Sequence, residues 1–152
     1  MIVVDANLLL YAHDSLSPHH DAARGWLEAT FGGQEQVGLP LQSLLAFIRL
    51  ATSPRVFEQP LAADDAIHLV EGWLARPGVS IPNPTEGHWQ QFADVAARGQ
   101  ARAGRLMDAH LATLALEHGA TLMTTDRGFA RFPGLRFRNP IAGDSKGGAD
   151  GG

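Results

Sequence analysis

The sequence contains no cysteine. Disulfide bonds, iron–sulfur clusters, zinc sites built on thiolates and a cysteine nucleophile are therefore excluded. Apolar runs are short: none approaches the roughly 20 residues that a membrane-spanning helix needs. Residues 1–5 carry no basic segment of the kind that opens a signal peptide. We therefore expect a soluble, cytoplasmic protein with no membrane partner.

Lysine is nearly absent as well, because eleven of the twelve basic residues are arginine. The net charge of −4 argues against a nucleic-acid partner, but the charge is unevenly distributed. Residues 1–97 hold four arginines and eleven acids, whereas residues 98–138 hold seven arginines and three acids. Guanidinium groups suit phosphate, so the second region is compatible with a nucleic-acid backbone. Arginine encoded by a GC-rich genome explains the same composition equally well.

Segments typical of strands and helices alternate along the 152 residues. Short apolar runs predict strands at residues 1–5, 36–39, 79–81 and 120–125, with an edge strand at 136–138. Helices are predicted at residues 7–12, 17–30, 41–52, 62–75, 85–97 and 107–118, with Ser17 and Thr85 at helix starts. The alternation predicts an α/β protein, a three-layer α/β/α domain with a mostly parallel central sheet. The domain is expected to span residues 1–140, and the glycine-rich tail 141–152 is expected to be disordered.

Three aspartates are the candidate catalytic and metal-binding residues. Asp5 follows the first predicted strand, Asp126 follows the strand at 120–125, and Asp108 lies in the first turn of the helix predicted at 107–118. Ligands of a parallel sheet bind at the carboxyl ends of its strands, and a helix N-terminus favours an anion. Three carboxylates at one edge would repel each other, and Mg²⁺ or Mn²⁺ would remove that conflict. Such a metal can activate water against a phosphodiester.

A purely structural interpretation of the same aspartates stays open. Asp108 can serve only as a charge at a helix start, and Asp126 only as a turn former. Asp5 is harder to explain in this way, because a carboxylate at the end of an apolar strand is costly unless it is paired.

Three segments resemble the acidic motifs of the PIN domain, in the family's order: VDANLLLYA at residues 4–12, DAHLATLA at 108–115 and TTDRGFARF at 124–132. Residues 38–52, 54–57 and 132–135 are similar to the VapC-type toxin branch, so the resemblance covers about residues 1–140. It implies a magnesium-dependent endoribonuclease, the toxin of a type II toxin–antitoxin system. It also implies a VapB-type antitoxin as partner, RNA as substrate and a homodimer. Asp5 and Asp108 match the metal ligands, and Asp126 completes the acidic cluster.

Two positions depart from the family's pattern. Many PIN domains carry a glutamate where this chain has Ala46, and often a further aspartate where it has Gly128. Gln42 and Ser43 are polar neighbours without the charge. The alternative function is therefore a PIN-fold binding module with weakened catalysis, which acts through antitoxin or RNA binding.

Other residues carry weaker hypotheses. Arg102, Arg105 and Arg127 are expected to hold the RNA strand, while Asn7, Thr125 and His110 are more simply structural than catalytic. A phosphotransfer domain with Asp5 or Asp126 as nucleophile is a further alternative. It is disfavoured because the only lysine is Lys146, in the predicted tail. The run His19-His20-Asp21 suggests a second metal, but a solvated helix start explains it better. The apolar face of residues 41–48 suits either the core or a dimer or antitoxin groove.

Overall fold

The computed structural model describes residues 1–144. Within this range the strands are β1 (Ile2–Val4), β2 (Val37–Gly38), β3 (Val79–Ser80), β4 (Thr121–Met123) and β5 (Phe137–Arg138). The α-helices are α1 (Ala6–His13), α2 (His20–Phe31), α3 (Leu41–Ala51), α4 (Ala63–Leu74), α5 (His88–Arg98) and α6 (Gly104–Glu117). Short 3-10 helices cover Arg127–Arg131 and Ala142–Asp144.

The strands form one parallel sheet in the order β3-β2-β1-β4-β5. Alternate side chains of the central strand β1 face opposite layers. Ile2 and Val4 join a core formed with helices α1 to α4, and Val3 joins a second core formed with α5 and α6. This arrangement confirms the predicted three-layer α/β/α fold. It also brings the carboxyl ends of β1 and β4 to one edge of the sheet.

Two helices begin later than predicted. Ser17 does not cap α2; its hydroxyl accepts the backbone N–H of His19 at 3.1 Å and closes a turn ahead of the helix. Thr85 does not cap α5, because its hydroxyl donates to Glu117 of α6 at 2.7 Å, and α5 begins at His88. Side-chain bonds of this kind compete with capping. The run that suggested a second metal lies at the start of α2, where the ring of His20 contacts the carbonyl of Tyr11.

The apolar face of α3 is divided between the core and the surface. Leu44 and Phe47 are fully buried, whereas Leu41 and Leu45 are 55% and 56% exposed. Core packing therefore explains only the first pair. The exposed leucines line a cavity of about 570 Å³ between α3 and α6.

The end of the domain is ordered a little beyond residue 140. Ile141 is buried and residues 142–144 form the last 3-10 helix. The remainder of the predicted disordered tail lies outside the described residues. Among residues 1–144, no helix has both the length and the apolar character needed to cross a membrane.

Candidate active site

Asp5 lies where β1 passes into α1. It is the N-cap of that helix, and its Oδ1 accepts the backbone N–H of Ala6 at 2.8 Å. Its Oδ2 accepts the hydroxyl of Thr124 at 2.7 Å. The register of the parallel strands pairs Val4 with Met123. The residues that follow the two strands, Asp5 and Thr124, are therefore brought side by side.

Thr124 links the acids through one buried hydroxyl. Besides donating to Asp5, this oxygen accepts the backbone N–H of Asp126 at 3.0 Å and the side-chain amide of Asn7 at 3.4 Å. Thr124 is only 1% exposed, so the network is shielded from water. The neighbouring Thr125, and not Thr124, is the residue that the sequence pattern placed beside the acids. The signal for Thr124 is the register of β1 and β4, which becomes available only once the two strands are known to pair.

Asp126 uses its two carboxylate oxygens in different ways. Oδ1 accepts the backbone N–H of Gly128 at 2.7 Å and starts the 3-10 helix Arg127–Arg131. Oδ2 accepts the guanidinium of Arg105 at 2.9 Å. Asp126 is thus a turn former, as one interpretation of the sequence held, and its second oxygen remains directed at a cation.

The prediction that Asp108 lies in the first turn of its helix is wrong. The helix α6 begins at Gly104, directly after Ala103, whose φ of 52° marks the break from the preceding loop. Asp108 is therefore in the second turn, where the field of the helix N-terminus is weaker. Its cation is Arg105, one turn earlier, whose Nη1 donates to Asp108 Oδ2 at 2.9 Å. The same Nη1 donates to Asp126, so one guanidinium joins the two carboxylates.

The pKa of Asp5 is set by opposing effects of its surroundings. Burial raises the pKa of Asp5, the bonds from Thr124 and Ala6 lower it, and the charges of Asp108 and Asp126 raise it further. The net effect is a raised pKa. The carboxylate of Asp5 is consequently costly in the folded protein unless a positive charge comes close.

Ala46 and Gly128, the two positions where many PIN domains carry an acid, have different surroundings. Ala46 lines the apolar cavity between α3 and α6. At Gly128, by contrast, an added Cβ atom would collide with the guanidinium of Arg105, so a cation occupies the space beside that position. Gln42 donates to the carbonyl of Met107 at 3.1 Å. The Oε1 of Gln42 and the hydroxyl of Ser43 are buried with no hydrogen-bond partner among residues 1–144.

His110 and the arginines of the second half of the chain were also expected near the site. His110 is directed towards α5, where its Nδ1 lies 2.8 Å from Nε2 of His88, and its contact supports a structural role. Arg102 and Arg127 are exposed, whereas Arg105 is held by the two aspartates.

Residues 2–135 match the model of the PIN domain. This chain belongs to the PIN domain family. Ribonuclease VapC43 of Mycobacterium tuberculosis is 42% identical to this PIN domain over 145 residues, which cover 95% of this chain and 99% of the relative. Ribonuclease VapC37 of the same species is 42% identical over 142 residues, which cover 93% and 99%. The resemblance to the PIN family and its VapC branch is confirmed.

Solved structures agree with the PIN fold. VapC20 of M. tuberculosis, described as a toxin that cleaves the sarcin–ricin loop, aligns with a TM-score of 0.64 at 16% identity, covering 90% of this chain and 99% of that one. VapBC2 from Rickettsia felis, bound to a DNA fragment from its promoter, aligns with a TM-score of 0.64 at 19% identity, covering 91% and 98%. At such identities the likeness shows the fold alone. Membership of the PIN family also counts against the phosphotransfer alternative.

The chemistry of this PIN domain's donor set suits a hard divalent cation. Three carboxylates converge, and the Oδ1 of Asn7 is a buried carbonyl oxygen with no hydrogen-bond partner among residues 1–144. As the described residues lie, no group of three or more acidic or histidine side chains is arranged to hold a metal. The guanidinium of Arg105 stands between two of the acids instead. The donor types therefore suit a divalent ion, whereas their arrangement among residues 1–144 of this structure is not that of a metal site.

Proposed function

We propose that this PIN domain is a metal-dependent endoribonuclease that hydrolyses RNA phosphodiester bonds with Mg²⁺, for which Mn²⁺ can substitute. The observation that carries the proposal is the convergence of Asp5, Asp108 and Asp126 at one edge of the sheet. The relatives at 42% identity, named as VapC ribonucleases, support the same activity.

In this proposal Asp5, Asp108 and Asp126 hold the ion. Bound there, the ion would lower the pKa of a water molecule and place positive charge against the phosphate oxygens. Asp5 is oriented by hydrogen bonds to both of its oxygens, from the backbone N–H of Ala6 and from the hydroxyl of Thr124. Burial raises the pKa of Asp5, so a cation held beside it would offset the cost of its buried charge. Arg102 precedes Asp108 in the sequence and Arg127 directly follows Asp126. Both arginines are exposed and would hold the RNA backbone.

We propose further that the protein acts in the cytoplasm as the toxin of a type II toxin–antitoxin pair and binds a VapB-type antitoxin. The VapBC complexes among the structural neighbours support such a partner. The exposed part of the α3 face offers an apolar surface for the antitoxin or for a second copy in a homodimer: Leu41 and Leu45, with Met107 of α6 at 55% exposure.

A PIN-fold binding module with weakened catalysis is the second candidate. Ala46 and Gly128 favour it, because each removes an acid that many relatives use, and Arg105 already neutralises part of the cluster. A binding module would retain antitoxin or RNA affinity without any requirement for Mg²⁺.

The test is cleavage of end-labelled transfer and ribosomal RNA by the purified protein in Mg²⁺, Mn²⁺ or EDTA. We expect fragments that require metal and disappear with Asp5→Asn. The matched control is Asp65→Asn, which removes an exposed carboxylate from the first turn of α4 and should cut as the parent does. Equal cutting by Asp5→Asn and the parent would show that the site is wrong. Intact RNA under every metal condition would favour the binding module.

A further inference from the structure

Arg105 occupies an unusual position for a residue expected to bind RNA. Its guanidinium is directed into the acidic cluster, where a single nitrogen, Nη1, donates to Asp108 and Asp126 at 2.9 Å each. The three side chains are only 34%, 25% and 39% exposed, so the contact is partly shielded from water. Charge-assisted bonds of this length are the stronger class of protein hydrogen bond.

We propose that Arg105 is a built-in cation that competes with the divalent metal for Asp108 and Asp126. The inference rests on the proposed metal-dependent function. Arg105 and Asp108 are three residues apart on α6, so they share one face of the helix. The guanidinium can therefore leave the carboxylates by rotation of the Arg105 side chain alone. The backbone that carries Asp108 and Asp126 does not have to move.

Gly128 is what admits the guanidinium. A Cβ atom at this position would collide with the end of the Arg105 side chain. Gly128 does not have a positive φ, so residues with a side chain can adopt its backbone conformation. The glycine is thus needed for space and not for backbone freedom. The position at which many PIN domains place a further acid is here shaped to receive a positive charge.

The competition predicts that the metal affinity rises when Arg105 is removed or displaced. Binding of Mn²⁺ would be measured by electron paramagnetic resonance of the free ion, for the parent and for three variants. Arg105→Gln removes the charge, and Gly128→Ala keeps the charge but displaces the guanidinium. Arg102→Gln is the matched control, because it removes an equal charge from an exposed residue three positions earlier in the sequence, just before α6 begins. We expect Arg105→Gln and Gly128→Ala to bind Mn²⁺ about tenfold more tightly than Arg102→Gln, the scale of one partly exposed charge-assisted contact.

Two results would overturn the competition. Equal or weaker Mn²⁺ binding by Arg105→Gln relative to Arg102→Gln would show that the guanidinium does not oppose the metal. Tighter binding by Arg105→Gln together with parental affinity in Gly128→Ala would assign the effect to charge at a distance and not to occupancy.

A direct measurement covers the case in which Gly128→Ala does not fold. The side-chain N–H signal of Arg105, assigned by its loss in Arg105→Gln, is followed by nuclear magnetic resonance as Mg²⁺ is added to the parent. We expect a saturable shift of this signal; a signal that stays constant while Mg²⁺ binds would overturn the proposal.

Failure of this inference and failure of the proposed function are distinguishable. Metal-dependent RNA cleavage with no change of Mn²⁺ affinity in Arg105→Gln would leave the nuclease standing and remove the competition. Tighter Mn²⁺ binding by Arg105→Gln and Gly128→Ala without cleavage of any RNA would support the competition and remove the proposed nuclease activity. If neither the parent nor any variant binds Mn²⁺, both fall.

Discussion

Glu117 is expected to hold helix α5 against α6 through a buried network. Its Oε1 accepts the hydroxyl of Thr85 at 2.7 Å, and its Oε2 contacts Nδ1 of His88 at 2.8 Å. Nε2 of His88 in turn contacts His110 at 2.8 Å. The side chains of Glu117 and His88 are 1% and 14% exposed. Replacing Glu117 by alanine therefore removes the acceptor that joins the start of α5 to the end of α6.

The size of the effect follows from what each partner loses. His88 is largely buried, and its bond to a charged acceptor is worth about 1.5–3 kcal/mol. Thr85 is exposed and can bind water instead, so its bond contributes at most about 1 kcal/mol. We therefore expect Glu117→Ala to lower the free energy of unfolding by roughly 2–4 kcal/mol. In a chain of this length that corresponds to a fall in Tm of roughly 4–16 °C.

The contribution of Glu117 should also depend on pH. Burial alone would raise the pKa of Glu117, but the bonds from Thr85 and His88 outweigh it, and the pKa lies below its ordinary value of 4.5. A carboxylate with a lowered pKa in the folded state stabilises the protein above the unfolded pKa. That stability is lost as the pH falls through the folded value. The difference in stability between the parent and Glu117→Ala should accordingly shrink as the pH falls below 4.5, the ordinary pKa of glutamate.

Urea unfolding at pH 7, repeated in steps down to pH 3.5, measures both effects. Glu71→Ala is the matched control, because Glu71 also faces a histidine, His68, but at 3.9 Å with side chains 67% and 90% exposed. An exposed pair of this kind is worth little. If Glu117→Ala proved as stable as Glu71→Ala at pH 7, the reasoning about the buried network would be refuted.

Two further predictions concern the acidic cluster. Asp5→Asn should raise the free energy of unfolding at pH 7 in EDTA. Because the pKa of Asp5 is raised in the folded protein, stability is lost as the pH rises from the ordinary pKa of aspartate through the folded value. The substitution removes this loss. A lower Tm for this variant would contradict the assigned direction. Thr124→Val should cost about 1–3 kcal/mol and slow RNA cleavage, because it leaves the buried Oδ2 of Asp5 and N–H of Asp126 without their partner. Thr124→Ser keeps the hydroxyl and should retain cleavage; equal cleavage rates for the two variants would show that the hydroxyl is not needed.

The alternation of strands and helices could be predicted because each segment carries its own pattern. β1 is a fully buried β-branched run, and α3 combines buried and exposed apolar residues along one face. The placement of Asp5 and Asp126 at one edge followed from the same pattern, although β4 ends at Met123 and Asp126 lies three residues beyond it. Local signals of this type need no knowledge of the rest of the chain.

Contacts between distant segments were the part that the sequence did not reveal. Thr85 is a good capping residue in isolation, but its hydroxyl is taken by Glu117, 32 positions away. Gly104 lies outside the helix predicted at residues 107–118, yet it begins the helix that carries Asp108. Arg105 has the chemistry of a phosphate-binding residue, and only the approach of Asp126 to α6 directs it into the acidic cluster.

The hydrogen bond between Thr124 and Asp5 spans 119 positions of the chain. During synthesis Asp5 therefore leaves the ribosome long before the strand that completes the cluster. A fragment released before residue 121 would carry at most two of the three acids and would lack β4, the strand that pairs with β1. On the proposed function, a truncated product would therefore be harmless to the RNA of the translation machinery that makes it.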